Sequence, residues 1–410
     1  FIRSLKDKYP KYHALKYEDI TANAEDIQKL LAEDKHGDAL LLEYFQTDEM
    51  LYLFALSKNL IQLFPIPISK KELSEKIKTL RHILSSYRLV NTKQKEAFAI
   101  YTQTAHWFYQ NILAVALKEK SEKRLIIVTD GALGHLPFET FLVQQASNPS
   151  NYNNLNYLMN DYSISYNYSS TLWKENKAIN TQNNHQMLAC AADYEQKGTI
   201  IKNRLPQVAR LRKNLQPLAA AQKEVEGLKQ LFGGNFLFGE AVSEAYFKQT
   251  ASEYGIIHLA MHGVLNPKYP MLSSLAFTES PDSLEDDLLQ AYEIAQLQLN
   301  ADLVVLSACE TGYGKFEEGE GIVSLARSFM YAGTPSLVVS LWAVNDFSTA
   351  LIMSYFYQNL KEGMPKDKAL QQAKLAYLQS IEGPAAHPAY WSPFIQIGDS
   401  EAIGFLSTNN

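Results

Sequence analysis

Apolar residues along this chain fall into two rhythms. Short unbroken runs are closed by glycine, asparagine, aspartate or proline, and longer stretches repeat every three to four positions. The first rhythm predicts strands and the second predicts helices with one buried face. Residues 1–35 read as polar helix with Leu15, Ile27, Leu30 and Leu31 as apolar points. Ala39–Phe45 and Met50–Leu56 flank a polar tip, Gln46–Glu49, which is a hairpin signal; Asn59 supplies a second turn before Ile61–Ile66. Ser69 caps a helix expected from Lys70 to about Ser86, with Leu73, Ile77, Leu80 and Leu84 on one face, and a further helix is expected over Asn91–Lys118. Arg124–Val128, Tyr162–Tyr166, Met187–Ala192 and Asn235–Phe238 read as strands, and Ala219–Phe232 as an amphipathic helix closed by Gly233 and Gly234. Lys197–Pro217 is basic and weakly patterned, an exposed excursion of the kind that carries processing sites. Downstream, helices are expected over Gly321–Ala332, from an Asp346 cap to about Leu360, and over Lys366–Ile381, with a strand at Ser336–Trp342. Alternating strands and helices predict a doubly wound α/β sheet flanked by helices.

Two strand patterns stand apart. Ile256–Ala260 runs into Met261-His262-Gly263, and Leu303–Leu306 runs into Ser307-Ala308-Cys309-Glu310-Thr311-Gly312. In open α/β sheets, ligands sit outside the carboxyl ends of the strands. His262 and Cys309 are therefore expected at one edge, where an imidazole can take the proton of a thiol that attacks a carbonyl. His258 lies four residues before His262, deep in the apolar run, and reads as a core histidine; Cys190, mid-strand among alanines, reads as a structural thiol.

Composition narrows the rest. The 410 residues are enough for two or three domains. Net charge is −6 with no long basic run, so nucleic-acid binding has no support, and no apolar run approaches the roughly 18 residues that span a bilayer. Two cysteines in this length indicate a reducing compartment. His135 and His387 lack neighbours at ligand spacing, and Asp130-Gly131 lacks the glycines of a phosphate loop, so no metal or cofactor is expected. Glu320, between two glycines, reads as a complement to a helix N-terminus. The chain starts at Phe1 without a signal-peptide pattern, as a fragment or processed form would, and no repeat of about 34 residues is visible.

Leu306–Gly312, Gly319–Gly321, Leu325–Gly333, Ser340–Asp346 and His387–Trp391 together resemble the CHAT domain, a bacterial branch of the caspase and separase cysteine peptidases. The histidine precedes the cysteine by 47 positions, and caspases likewise place it roughly 50 residues upstream. The resemblance implies a caspase-like catalytic domain over 121–410, preceded by a non-catalytic pseudo-caspase-like half over 36–120 and a helical remnant over 1–35. It implies a cytoplasmic bacterial cysteine endopeptidase, with Cys309 as nucleophile, His262 as base, and the N–H groups of Gly263 and Cys309 as oxyanion donors. Implied partners are a protein substrate, such as a gasdermin or CRISPR-associated protein in defence, and an upstream helical-repeat sensor. Related separases carry an aspartate for arginine recognition where this chain has Ala343, with Asp346 retained, so an apolar or small residue is expected before the cut. The alternative is a CHAT-fold scaffold or regulatory binding protein without peptidase activity.

Overall fold

The fold is seen in a computed structural model that describes residues 21–404 apart from 35–37, 119, 147–150, 180, 182–184, 195–214, 219, 267, 281–284, 308–314, 318–320 and 324. An eleven-stranded sheet organises it. Its strands are β1 (Ala39–Gln46), β2 (Leu51–Ser57), β3 (Leu60–Ile66), β4 (Arg124–Val128), β5 (Ser163–Asn167), β6 (Met187–Ala191), β7 (Gly234–Phe238), β8 (Ile256–Ala260), β9 (Leu303–Leu306), β10 (Ser336–Ser340) and β11 (Phe394–Gly398). Their spatial order is β3-β2-β1-β4-β5-β11-β10-β9-β8-β6-β7. β1, β4 and β5 pair in parallel, as do β10, β9, β8, β6 and β7. β2 and β3 add the antiparallel hairpin that the polar tip predicts, and β11 runs antiparallel to β10 while meeting β5 at Tyr166. Strands β4, β6, β8, β9 and β10 are buried along their whole length, which is why they read as largely apolar runs; β5 alternates in sequence as a half-buried strand would, yet it too is buried throughout.

Helices α1 (Ala24–Glu33), α2 (Lys70–Ser85), α3 (Gln94–Phe108), α4 (Ser170–Lys177), α5 (Ala221–Leu228), α6 (Glu244–Thr250), α7 (Leu325–Tyr331), α8 (Asp346–Lys361) and α9 (Lys366–Ser380) flank the sheet. One large apolar cluster joins Leu40, Leu42, Leu73 and Leu80 to Val305, Val338 and Phe356, so both parts of the sheet share a core. A smaller cluster, Ile27, Leu31, Leu41, Ile126 and Trp173, sits under α1 on the other face.

Several expected boundaries move. The helix expected over Asn91–Lys118 is broken: α3 widens into a π-helical turn at Tyr109–Leu113, and Ala114–Leu117 resumes as α-helix. Gly321–Val323 is a strand paired with Lys315–Glu317, so α7 begins at Leu325 instead of Gly321. Asn345, not Asp346, caps α8: its side-chain oxygen accepts the Ser348 N–H at 3.1 Å, which makes Asp346 the first helical residue. Sheet pairing also crosses residue 120, because β1 lies directly against β4 from Ala39–Arg124 to Glu43–Val128. Strands on the β5 side of β11 come from residues 39–167, and those on the other side from 187–340.

Candidate active site

β8 and β9 are adjacent and parallel, with Ile256 opposite Leu303 and Leu259 opposite Leu306. The Ser307 N–H continues the pairing by donating to the Leu259 carbonyl at 3.0 Å. Both strands thus leave the sheet at the same edge, β8 toward His262 and β9 toward Ser307, two residues before Cys309 in the sequence. Cys309 itself, with Glu310–Gly314 and Glu320, lies outside the described residues.

His262 is half-buried and held on several sides. Its backbone N–H donates to the Tyr194 hydroxyl at 2.8 Å, and the Tyr194 ring packs 4.7 Å from the imidazole at a tilt of 54°. Its Nε2 lies 2.7 Å from the Gln216 carbonyl oxygen. A carbonyl only accepts, so Nε2 carries the hydrogen and Nδ1 is left as the basic nitrogen. The His262 carbonyl accepts the Ala276 N–H at 2.9 Å. Because the peptide unit is planar and trans, the Gly263 N–H points away from that hairpin partner. Gly263–Val264 pairs with Ser274–Leu275 in a small side sheet that the apolar pattern had not revealed.

Beneath the edge lies a buried polar network. His258, fully buried, has Nδ1 3.0 Å from the Tyr357 hydroxyl and Nε2 3.1 Å from Glu224 on α5. The second Glu224 oxygen accepts the Ser307 hydroxyl at 3.2 Å. His258 is therefore a core histidine with polar partners, tied to the strand end that leads to Cys309. Beside it, Leu218, Ala221, Glu224, Ser307, Val344, Asp346 and Thr349 line a narrow pocket. Asp346 reaches this pocket; Ala343 does not line it, being exposed with its carbonyl accepting the Tyr87 hydroxyl at 3.2 Å. Two carboxylates border the pocket, and Thr349 and Glu224 are each more than nine-tenths buried there.

Other chemistry-bearing groups are structural. Burial pushes the Cys190 thiol up to about 12, so it holds its proton at neutral pH and packs as a small apolar group. Among the described residues, Glu244, Glu285 and Glu293 converge closely enough to share an ion, but the Lys248 ammonium already sits 2.6–2.9 Å from all three. Burial, ahead of these neighbours, raises Glu244 to about 7. Tyr194, Gln216 and Glu224 were not singled out by the sequence pattern. Tyr194 had a faint signal, since it follows a buried strand as His262 does; Gln216 acts through its carbonyl, which any residue carries.

The family model for the CHAT domain matches residues 102–399. Tetratricopeptide repeat protein 28 of Homo sapiens is 26% identical over 223 residues, covering 47% of this chain and 9% of that protein; the Mus musculus protein matches to the same extent. The chain thus spans less than a tenth of the length of these relatives. Among solved structures, separase in the Saccharomyces cerevisiae separase–securin complex superposes with a TM-score of 0.56 at 10% identity, over 96% of this chain and 32% of separase. That likeness is one of fold.

Proposed function

This chain belongs to the CHAT domain family, and on that footing we propose that it is a cysteine endopeptidase acting on a protein substrate. One observation carries the reading: a histidine fixed in ring and backbone at the end of β8, beside the neighbouring strand that precedes Cys309 in the sequence. In the proposed mechanism, His262 Nδ1 takes the Cys309 proton and the thiolate sulfur attacks the scissile carbonyl carbon. The resulting oxyanion is held by the Gly263 and Cys309 N–H groups. The imidazolium then protonates the leaving amine as the C–N bond breaks, leaving a thioester. Water, deprotonated by His262, hydrolyses the thioester and restores the thiol. The Gln216 carbonyl favours the Nε2–H tautomer, so the basic nitrogen is present before substrate arrives.

The pocket bordered by Glu224, Ser307 and Asp346 is about 20 Å³, room for about one water, so the residue before the cut is proposed to reach only its Asp346 rim. Beside the expected apolar or small residue, the Asp346 carboxylate at this rim favours a side chain that donates hydrogen bonds. A bacterial cytoplasmic setting, a defence role, and a gasdermin or CRISPR-associated substrate rest on the family resemblance alone. A separately folded pseudo-caspase-like half ending near residue 120 is likewise a proposal, and pairing of β1 with β4 weighs against a boundary there.

A second reading, as a scaffold or regulatory domain attached to upstream repeats, draws support from relatives named for tetratricopeptide repeats. One experiment separates the two. The wild-type chain and its Cys309→Ala and His262→Ala variants are incubated with candidate proteins and with a thiol-directed activity probe. A peptidase gives cleavage and labelling that vanish in Cys309→Ala and fall at least about a hundredfold in His262→Ala, since general base catalysis contributes roughly 10²–10⁴-fold. Cys190→Ala leaves both intact. Equal turnover in wild type and Cys309→Ala would sink the peptidase reading.

A further inference from the structure

The bonds around His262 form a closed circuit. The His262 N–H donates to the Tyr194 hydroxyl at 2.8 Å, and that hydroxyl donates to the Ala276 carbonyl at 2.6 Å. The Ala276 N–H returns to the His262 carbonyl at 2.9 Å. Tyr194 spends its single proton on Ala276 and offers a lone pair to His262, so its oxygen bridges the end of β8 and the hairpin strand across from Gly263. Tyr194 is 9% exposed and follows β6, whose parallel pairing with β8 sets the tyrosine beside the histidine.

The circuit fixes two peptide planes. One carries the His262 N–H; the other carries the His262 carbonyl and, on its opposite side, the Gly263 N–H. The first sets where the imidazole is anchored, and the Tyr194 ring face then limits how the imidazole swings. The second sets the direction of the proposed oxyanion donor. We propose that Tyr194 is a positioning residue that aims the base and the Gly263 oxyanion donor together, through one hydroxyl. This rests on the peptidase reading above. It also explains why a catalytic peptide following a buried strand does not depend on glycine flexibility alone: the hydroxyl removes a freedom that Gly263 would otherwise allow.

Aim that serves the transition state affects kcat more than substrate binding. Tyr194→Phe keeps the ring and removes the oxygen. The expected result is a fall in kcat of about 10–100-fold with KM within about threefold, measured on whichever protein or peptide the wild type cleaves. The loss stays below the roughly 10²–10³-fold reported for deleting an oxyanion donor outright, because the donor remains but is less well aimed. A second measurement does not depend on turnover: nitrogen NMR of the His262 imidazole. The wild type is expected to show a single Nε2–H tautomer and Tyr194→Phe a second population, with far-ultraviolet circular dichroism unchanged. If the wild type cleaves nothing, the peptidase reading fails while the imidazole signal still decides the positioning role. An unaltered kcat, or an imidazole spectrum identical to wild type in a folded Tyr194→Phe variant, would overturn the proposal.

Discussion

At the scale of single residues, the pocket beside β9 bears on the residue proposed to stand before the cut. Ala343 drew attention because related separases place a carboxylate there, yet its side chain lies outside the wall that Glu224 and Asp346 complete. Seating a leucine against the Asp346 carboxylate strips it of water without replacing the lost hydrogen bonds. Arg or Lys before the cut is therefore expected to outrun Leu at least tenfold in kcat/KM, about 1.4 kcal/mol, in a peptide library varied at that position. Asp346→Ala is expected to shrink that ratio several-fold while leaving the Leu peptide unchanged. A library in which Leu outruns Arg in the wild type would reject this assignment. The adjacency of the ends of β8 and β9 was legible because each strand is an unbroken apolar run; Cys309 itself lies outside the described residues. The role of Glu224 was not legible, since spacing puts it on the apolar face between Ala221 and Leu228 but does not name its partners; the packing of α5 over β8 supplies His258 and Ser307.

At the scale of elements, strands with unbroken apolar runs and helices with a single apolar face were readable to within a few residues. β4, β6, β7 and β8 are examples, and α2 begins at Lys70 under a Ser69 cap. Elements specified by partners were not. The pairs Gly263–Val264 and Ser274–Ala276 are too short for a period to declare itself, and the widened turn at Tyr109–Leu113 follows from packing, not from a proline or glycine. β11 is the most consequential omission: Phe394–Gly398 alternates weakly, follows a proline, and lies far from its neighbours in sequence. Its close depends on Gly398, whose φ is +90° and where an added Cβ would meet the Pro335 carbonyl oxygen at 2.2 Å. Gly398→Ala must therefore move backbone as well as adopt a disfavoured dihedral, and is expected to cost about 1–3 kcal/mol. Urea unfolding is the check: the midpoint should fall with the slope preserved, and an unchanged midpoint would contradict the strain argument.

At the scale of the whole molecule, the two parts of the sheet are tied by groups drawn from distant sequence. His387 is one: its ring packs 4.7 Å from Tyr152 and 5.7 Å from Tyr101, while its Nδ1 accepts the Ala389 N–H at 2.9 Å. Burial lowers its pKa from 6.5 to about 3. A depressed histidine stays neutral in the fold while the unfolded chain takes up the proton. Its contribution is whole above about pH 6.5 and is lost as pH falls toward 3, on the order of a few kcal/mol over that window. Unfolding free energy is thus expected to drop between pH 7 and pH 5 more steeply in wild type than in His387→Asn, which keeps a capping side chain but no titration. Parallel slopes would mean that other groups carry the acid sensitivity. The placement of β11 has a further consequence, for the order in which the molecule comes into being. β8, β9 and His262 are synthesised before β11, the strand that lies between β5 and β10. At about 5–20 residues per second, the stretch from Ser340 to Phe394 takes on the order of a few seconds to make. During that interval the ends of β8 and β9 exist as chain but not within the completed sheet. The strand that joins the two parts of this sheet is thus also the last of its eleven strands to be synthesised.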